Sequence, residues 1–577
     1  MSSTSSTYSV PRESKKLFIE GILENPLIKG LLPAELIDSA QLIRFEGNEL
    51  PSIPVNWRWA ESIAALKAFE ATTLNYLLKR KYNIPPVEVT INTDHASLFI
   101  MSPPLAQVLD GMKGAGSPTS VIDPDTLKSY RSDGYHRSRE SWHRVLATGI
   151  YKTRDDRFYH IHGSLNPDQT LTALGLPLEG EPDDTFEQVV QRFQDKVSQF
   201  DAVALDELMN EQYRQAGTVA WSSEEYFASE HGRQNSEVGL YELSRDAGSH
   251  QPAGWWPDHS SLPSSPKRPL AGLKVVDLTR VIAGPTITRS LAELGASIMR
   301  VTSPQIVDFT TVFRDLNWGK WNCSLHLKDE ADKESLRQLI LDADIVVDGY
   351  RPGVMDKLGF GREAIFELVK NRDRGIIHLR ENCYGWHGPW ANRSGWQGIS
   401  DACCGVSRTF AEGMGLSEAV TPPFPNSDHW YVQHSKNSVT PVHALVQRAE
   451  QGGNYGVDIA LNYYSQWLVR SCGTYDSDIW DDLWKRHGSP VFHHYDNTRR
   501  TVPAVLKLLH QHDEEILFKP SFFEQYRAGA VGVDIRRVRP VARFRDEVVE
   551  LRYNVGTRGN GVDRPVWPND LTTEIIS

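Results

Sequence analysis

The chain has 577 residues, with 62 basic and 74 acidic side chains and a formal net charge of −12. This length favours two or three domains, and the acidic balance argues against the basic surface that nucleic-acid binding requires. No apolar run approaches the roughly 20 residues of a membrane span. The five cysteines form no CxxC pair, which argues against a disulfide scaffold and a structural zinc site. We therefore expect a cytoplasmic protein with no nucleic-acid or membrane partner.

The first half of the chain predicts helices, short strands and a hairpin. Apolar residues recur at helical spacing, and the pair Pro85-Pro86 ends the strongest helix. A stretch rich in Pro, Ser and Gly over residues 244–270 has no periodicity and is typical of a linker. The predicted elements, in chain order, are a helical stretch over 12–43, a helix over 57–81, a strand over 87–91, a hairpin over 150–163 that turns at 154–156, and helices over 181–215.

The second half predicts an α/β sheet. Short buried strands alternate with helices, which favours parallel strands and right-handed crossovers in a doubly wound sheet. The dinucleotide fingerprint GxGxxG and the P-loop are both absent. In such sheets the ligand lies beyond the carboxyl ends of the strands, which selects the segments 279–285, 348–353 and 381–388. The predicted strands are 274–278, 297–301, 344–350 and 375–379, and the predicted helices are 286–294, 333–343 and 362–372.

A weak internal repeat links the two halves. The helix that ends LLKRKYN and the strand VEVTI near residue 90 parallel the segment LVQRAEQGGNYGVDIAL at residues 445–461. Two unrelated helix–turn–strand units would give the same pattern, so both interpretations stay open.

Four motifs in order over residues 268–405 carry a resemblance to a known family. They are RPLAGLKVVDLTRVIAGPTITRSLAELGASIMRV, LNWGKWNCSLHLK, ADIVVDGYRPGVMDKLGFG and CYGWHGPWANRSGWQ. They resemble the motifs of family III CoA-transferases, a group that includes formyl-CoA and carnitine-CoA transferases and α-methylacyl-CoA racemase. Residues 422–468 resemble a later part of the family, and residues 57–99 resemble a second copy of that part.

The resemblance implies a long, tandem, fungal-type member with a Rossmann-like large domain, smaller α+β domains and a partial duplication. Family members form interlocked dimers, so it also implies a homodimer or an intramolecular pseudo-dimer. The domains we predict are a partial family copy over 1–250, a linker over 251–267, a CoA-binding large domain over 268–420 and a C-terminal helical and small-domain portion over 421–577.

The chemistry implied is transfer of CoA between an acyl-CoA and a carboxylic acid, which needs a carboxylate nucleophile. In the family motif "PGYD" we take the Asp as that nucleophile, and the matching position here is Gln397, whose amide oxygen is a poor nucleophile. Three hypotheses compete. In the first, Asp401, one helical turn further on, serves as the nucleophile. In the second, a different group acts in an altered site. In the third, the protein is catalytically silent, which is suggested by polar residues and Pro441 in a segment that matches an Ala/Gly-rich helix of the family.

The resemblance also implies which positions contact CoA. We expect CoA to be a substrate, and we expect no permanently bound cofactor. His387, in the Gly-rich loop, is a candidate acid/base or oxyanion donor. Lys320 and Lys357 are candidate phosphate partners. The remaining positions are Val281, Ile282, Ala283, Gly349, Tyr350, Arg351, Asn382 and Tyr384.

We predict a CoA-transferase that acts on an acyl-CoA and a carboxylic acid in specialised metabolism. The alternatives are an acyl-CoA racemase or isomerase, and a silent acyl-CoA-binding subunit.

Overall fold

The computed structural model describes residues 8–109, 138, 140–423 and 439–577. Its first half contains seven strands. They are β1 (Ile43–Glu46), β2 (Val89–Asn92), β3 (Gln107–Val108), β4 (Gly149–Lys152), β5 (Phe158–Ile161), β6 (Gly217–Val219) and β7 (Glu242–Arg245). The predicted hairpin is confirmed as β4 and β5, which pair antiparallel, and β6 completes that sheet.

The helices of the first half include the strongest predicted one. It spans Trp59–Tyr82 and ends where Asn83 takes up the left-handed conformation, at φ 54°. The predicted stretch over 12–43 is instead broken into short pieces, because Pro26 and Pro33 cannot continue a helix. The helices are Val10–Phe18, Pro26–Lys29, Ala34–Ser39, Trp59–Tyr82, Thr93–Ile100, Ser102–Leu105, Trp142–Val145, Asp168–Ala173, Phe186–Val197, Ala202–Glu207, Ser223–Ala228 and Glu230–Asn235, with π-helical turns at Ile19–Leu23 and Leu208–Gln212 and a 3₁₀ turn at Ala40–Leu42.

The long helix is buried on every side from Trp59 to Leu78. Its periodicity indicated one apolar stripe, but polar positions are buried too, and Lys67 forms a buried ion pair with Glu70 at 2.8 Å. Many of its residues are alanine, so neighbouring elements approach the helix closely. It therefore forms the centre of the first half.

The second half is built on a seven-stranded sheet. This sheet contains β7 of the first half and six strands of the second half, which are β8 (Lys274–Leu278), β9 (Ser297–Thr302), β10 (Lys320–Ser324), β11 (Ile345–Asp348), β12 (Ile377–Asn382) and β13 (Tyr455–Ala460). The remaining strands of the second half belong to other sheets and are β14 (Phe523–Ala528), β15 (Val533–Val538) and β16 (Ala542–Phe544). The sheet order is β10-β9-β8-β11-β12-β13-β7, and all pairs are parallel except β13 with β7. The predicted doubly wound α/β fold is confirmed.

The helices of the second half lie between these strands and beyond them. They are Ala283–Glu293, Phe313–Leu316, Glu330–Asp342, Val354–Leu358, Arg362–Leu368, Gln397–Cys403, Val406–Gly413, 439–451, Leu461–Trp467, Ser477–Arg486, Thr498–His512 and Glu514–Leu517, with a π-helical turn at Leu468–Cys472 and 3₁₀ turns at Thr310–Val312, Pro520–Phe522 and Arg545–Glu547. The two segments of the weak repeat both fold as helix, strand and helix, around β2 and around β13.

Strands from the two halves pair with each other in three sheets. From the first half, β7 adds to the seven-stranded sheet beside β13, β2 pairs with β16, and β3 pairs with β15. One hydrophobic core runs from Leu17 to Val549 and contains residues of both halves. The two halves therefore share their interior.

The segment predicted as a linker packs against both halves. Trp256 is buried, and its indole N–H donates to the carbonyl of Ala271 at 2.8 Å. The ammonium of Lys81 lies 3.4 Å from the centre of the Trp256 ring, a cation–π contact with the long helix. Across the described ranges, we find no helix with the length and apolar character needed to span a membrane.

Candidate functional site

A cavity of about 690 Å³ opens at the carboxyl edge of the parallel sheet. It lies where the strand order reverses between β8 and β11, which is where doubly wound sheets bind their ligands. Loops that follow β8, β9, β10, β11 and β12 contribute to its wall. The predicted site residues that line it are Val281, Ile282, Ala283, Gly349, Tyr350, Arg351, Asn382 and Gln397.

The loop after β8 is held in a strained conformation. Val281 has a φ of 66°, which is rare for a β-branched residue. Its N–H donates to the carboxylate of Asp308 at 3.2 Å, and Asp308 in turn forms a buried ion pair with Arg300. Strain of this kind persists where the surroundings enforce it, and it is concentrated at functional sites. The loop is thus fixed in shape before any ligand arrives, and the helix Ala283–Glu293 begins directly after it.

Three cationic side chains, Arg280, Lys328 and Arg351, are among the residues that line the cavity. Arg280 donates to the carbonyl of Val307 at 2.7 Å and lies 5.7 Å from the ring centre of Tyr350. Partial desolvation lowers the pKa of Arg351, and the neighbouring Arg280 and Arg214 lower it further. An anion bound among these groups would relieve that repulsion. Sequence reasoning missed both Arg280, which belongs to the selected segment 279–285, and Lys328, which ends the motif LNWGKWNCSLHLK.

Lys320 lies outside the cavity, contrary to the phosphate role predicted for it. Its ammonium is fully buried, 3.1 Å from a carboxylate oxygen of Asp277 and 2.7 Å from the carbonyl of Pro285. Burial lowers its pKa to about 8, against the opposing effect of Asp277. The lysine ties β10 to Asp277 on β8, and it does not line the cavity.

Gln397 and Asp401 share one face of the helix Gln397–Cys403, as their spacing predicts. The amide N–H of Gln397 donates to Asp401 at 2.9 Å. Gln397 lines the cavity, whereas Asp401 is buried behind it. Burial raises the pKa of Asp401 well above its usual range, and the hydrogen bond from Gln397 offsets this only in part. A carboxyl group that is buried behind the cavity wall is a poor nucleophile for a thioester in the cavity, so this geometry does not support the catalytic role predicted for Asp401.

His387 does not face the cavity either. Its imidazole Nε2 lies 2.8 Å from the carboxylate of Glu242 on β7, which also accepts a hydrogen bond from the hydroxyl of Tyr463 at 2.6 Å. The prediction placed it at the site because it belongs to the Gly-rich loop. The structure turns that loop so that the side chain contacts β7, the edge strand of the sheet.

Of the other predicted positions, Asn382 and Tyr384 support the cavity wall and Lys357 lies at the surface. Asn382 lines the cavity and braces the Gly-rich loop, donating to the carbonyl of Gly385 at 2.8 Å. Tyr384 lies behind the wall, where its hydroxyl donates to the carbonyl of Gly217 at 3.2 Å. Lys357 is exposed on the helix Val354–Leu358, whose two end residues line the cavity.

The first half of the chain supplies another part of the wall, which sequence reasoning missed. Its residues are Ser164, Leu165, Asn166, Gln169 and Gln215. Aromatic stacking brings them to the site: the imidazole of His162 stacks on Trp396, with ring centres 5.1 Å apart, and the indole N–H of Trp396 donates to Ser164 at 3.0 Å. No local signal in the sequence marks these residues, because only tertiary packing places them beside Gln397.

Two further reactive groups line the cavity. Among the described residues, Glu381 at the end of β12 is its one carboxylate and Cys383 its one thiol. Burial raises the pKa of Cys383 well above its usual range, which keeps the thiol protonated and unreactive. Glu381 is buried and lies beside Gly349. Within the parts of the chain that the structure describes, no cluster of His, Cys, Asp or Glu is arranged to hold a metal ion.

Comparison with known proteins identifies full-length relatives. Residues 270–477 match the family described as CoA-transferase family III. The acetyl-coenzyme A transferase nodX of Hypoxylon pulicicidum is 58% identical over 99% of this chain and 96% of its own length. An acyl-CoA transferase of Gibberella moniliformis is 29% identical over 89% of this chain and 88% of its own. A CAIB/BAIF family crystal structure from Brucella suis shares 24% identity over 35% of this chain and 55% of its own, with a TM-score of 0.29.

Proposed function

Because this chain belongs to the CoA-transferase family III, we propose that its CoA-transfer reaction takes place in the cavity at the sheet edge. The observation that carries the assignment is the cationic part of the wall at the topological switch point. Arg280, Lys328 and Arg351 meet the phosphates of CoA there. The loop 281–283 and the segment 349–351 hold the nucleotide and the start of the pantetheine arm.

The thioester lies at the other end of the cavity, between Gln397 and the first-half wall. Burial from both halves excludes water, which would otherwise hydrolyse the activated acyl group.

The reaction needs a carboxylate that attacks the thioester carbonyl and expels the CoA thiolate, leaving a mixed anhydride. The thiolate then attacks the enzyme's carbonyl and releases the first acid, which leaves a CoA thioester on the enzyme. The acceptor carboxylate attacks that thioester, and the returning thiolate yields the new acyl-CoA and restores the carboxylate. Because Gln397 cannot serve and Asp401 is shielded, we assign this role to a carboxylate other than these two positions.

Two carboxylates are candidates for this role. Glu381 lines the cavity. Asp428 begins the segment that resembles the family's "DxxAG" motif, and it lies outside the described residues. The assignment is decided by incubation with acetyl-CoA, trapping with hydroxylamine, and mass spectrometry of the labelled residue.

We expect the full chain to move CoA from acetyl-CoA to a monocarboxylic acid and to carry the label on Glu381 or Asp428. The matching Glu381→Gln or Asp428→Asn substitution abolishes transfer, whereas Asp401→Asn retains it. A label on Asp401 would overturn our assignment. CoA binding without transfer to any acid would favour the silent subunit instead.

We also propose that one chain serves as its own partner. Strands β3 and β7 of the first half join sheets of the second half, β16 of the second half joins the sheet of β1 and β2, and both halves line the same cavity, which supports an intramolecular pseudo-dimer. A single chain of 65.1 kDa is then the active unit, and light scattering of the active protein tests this. Activity confined to a species of twice that mass would contradict it.

A further inference from the structure

The strained loop after β8 is held from behind the cavity wall by one carboxylate. Asp308 is 5% exposed and does not itself line the cavity. One of its oxygens accepts the backbone N–H of Val281 at 3.2 Å, and the other accepts a guanidinium N–H of Arg300. Arg300, on β9, also donates to the carbonyl of Thr279 at 3.4 Å. The carboxylate and the arginine therefore fix the loop on both sides of Arg280.

The same carboxylate connects two segments that do line the cavity. The segment 305–307 directly precedes Asp308 and lines the cavity, as Arg280 does. Arg280 donates to the carbonyl of Val307 at 2.7 Å. Burial alone would raise the pKa of Asp308, but Arg300 and Arg280 hold that pKa below its usual range, so the carboxylate is ionised. An ionised group with fixed partners on both segments keeps them at a fixed spacing.

The C-terminal part of the chain supplies a third member of this network. Asn560 is 8% exposed, and its amide oxygen accepts N–H groups of Arg300 at 3.1 Å and of Asn322 on β10 at 3.0 Å. Its own amide N–H donates to Asp308 at 3.4 Å, across 252 positions of the chain. Asp563 fixes this segment on β10, because it accepts the backbone N–H of Asn322 at 2.8 Å. We call Asp308, Arg300 and Asn560 the loop clamp.

We propose that Asp308 is a positioning residue for CoA binding, which holds Val281 in the left-handed conformation, and that Asn560 completes this clamp from the C-terminal segment. The inference rests on the proposed location of CoA in the cavity. A valine at a φ of 66° returns to negative φ when nothing opposes it, because its branched side chain crowds the backbone there. Without the clamp, the loop therefore spends less time in the shape that accepts CoA.

A double-mutant cycle tests the proposal through binding of CoA to the full chain, measured by isothermal titration. Asp308→Asn replaces one carboxylate oxygen with an N–H group, so either Val281 or Arg300 loses its acceptor. We expect affinity for CoA to fall about tenfold, a factor within the range that backbone strain of this kind represents. Glycine adopts positive φ without strain, so in the Val281→Gly background the same substitution should cost no more than about twofold.

Hydrogen–deuterium exchange of the ligand-free proteins locates the effect. Asp308→Asn should speed exchange over residues 279–283 and leave the first-half wall at 164–169 unchanged. If Asp308→Asn does not fold, Asn560→Ser replaces it in the same cycle, with an expected loss of about threefold, since one neutral hydrogen bond to the clamp is removed.

Asn554→Ser is the matched control. Asn554 also fixes the C-terminal segment, but it donates to the carbonyl of Gly295 at 2.8 Å, before the start of β9 and away from the cavity. This variant should lose stability and keep its affinity for CoA.

Equal losses of affinity in the wild-type and Val281→Gly backgrounds would overturn the proposal, because Asp308 would then act only on general stability. A gain of affinity in Asp308→Asn would also overturn it, since the charge of the carboxylate would then oppose the phosphates of CoA. The expected cycle without transfer of CoA to any acid would leave this inference standing while the transfer proposal fails. Transfer with equal losses would do the reverse, and no CoA binding by the wild type would overturn both.

Discussion

The two halves of the chain line one cavity with unlike chemistry. The second half contributes Arg280, Lys328 and Arg351 together with a strained backbone loop, whereas the first half contributes the neutral side chains of Ser164, Asn166, Gln169 and Gln215. Cations suit a phosphorylated ligand, and neutral amides suit an uncharged polar group. Under the proposed function, the cationic wall holds CoA and the first-half wall faces the group being transferred.

The largest expected effect comes from separating the halves. Fragments 1–263 and 264–577 should each be insoluble or unfolded alone, because cutting exposes the pairing edges of β2, β7, β13 and β16 and splits the shared core. Co-expressed, they should associate and elute together in size-exclusion chromatography. Two monodisperse fragments that ignore each other would show that the halves are independent.

The cationic wall is the next target. The double substitution Arg280→Ala and Arg351→Ala should weaken CoA binding roughly tenfold to a hundredfold, since charge-assisted bonds to phosphate contribute about 1.5–3 kcal/mol each before screening. Isothermal titration at low and high salt checks this, and the salt dependence should be smaller in the variant. Arg545→Ala, an exposed residue paired with Glu88, is the control. Unchanged affinity in the double variant would remove the phosphates from this wall.

A smaller, pH-dependent effect on stability is expected from Asp348, at the end of β11. Burial raises the pKa of Asp348 to about 7, and the nearby Asp356 adds to the shift. Since the unfolded chain releases this proton near pH 4, the native state binds more protons between about pH 4 and 7, and stability falls as pH rises through that window. Asp348→Asn should therefore raise Tm at pH 8 and change it little at pH 4. Asp373→Asn, at an exposed carboxylate, should show no such difference; equal shifts in both variants would refute the account.

The contrast between the walls also explains what the sequence could reveal. Short strands rich in β-branched residues, such as β8 and β11, are recognisable from the sequence. The loops that follow them were selected as cavity-lining segments because topology alone places them at the carboxyl edge of the sheet. Strand β10, Lys320–Ser324, mixes charged, aromatic and polar residues and gave no strand pattern. Which way a side chain points could not be predicted: Lys320 turns to Asp277 and His387 to Glu242, although their motifs suggested a ligand.

The part of the cavity wall that the first half contributes could not be predicted from local sequence patterns. Gln215 is the last residue of the segment 181–215 that was predicted as helical. The packing that brings the first half to the site includes the stacking of His162 on Trp396, which is more than 200 positions later in the chain. Similarly, the spacing of Gln397 and Asp401 predicted their shared face correctly, but not that the carboxyl group would be sealed behind the amide.

The central claim is that one CoA-transfer site is formed by both halves of a single chain. Hydrogen–deuterium exchange of the full chain, with and without saturating acetyl-CoA, tests it most directly. The account predicts slower exchange in two sets of segments at once: residues 279–283 and 349–352 in the second half, and residues 164–169 and 213–217 in the first. Protection confined to the second half, or protection at neither wall, would contradict it.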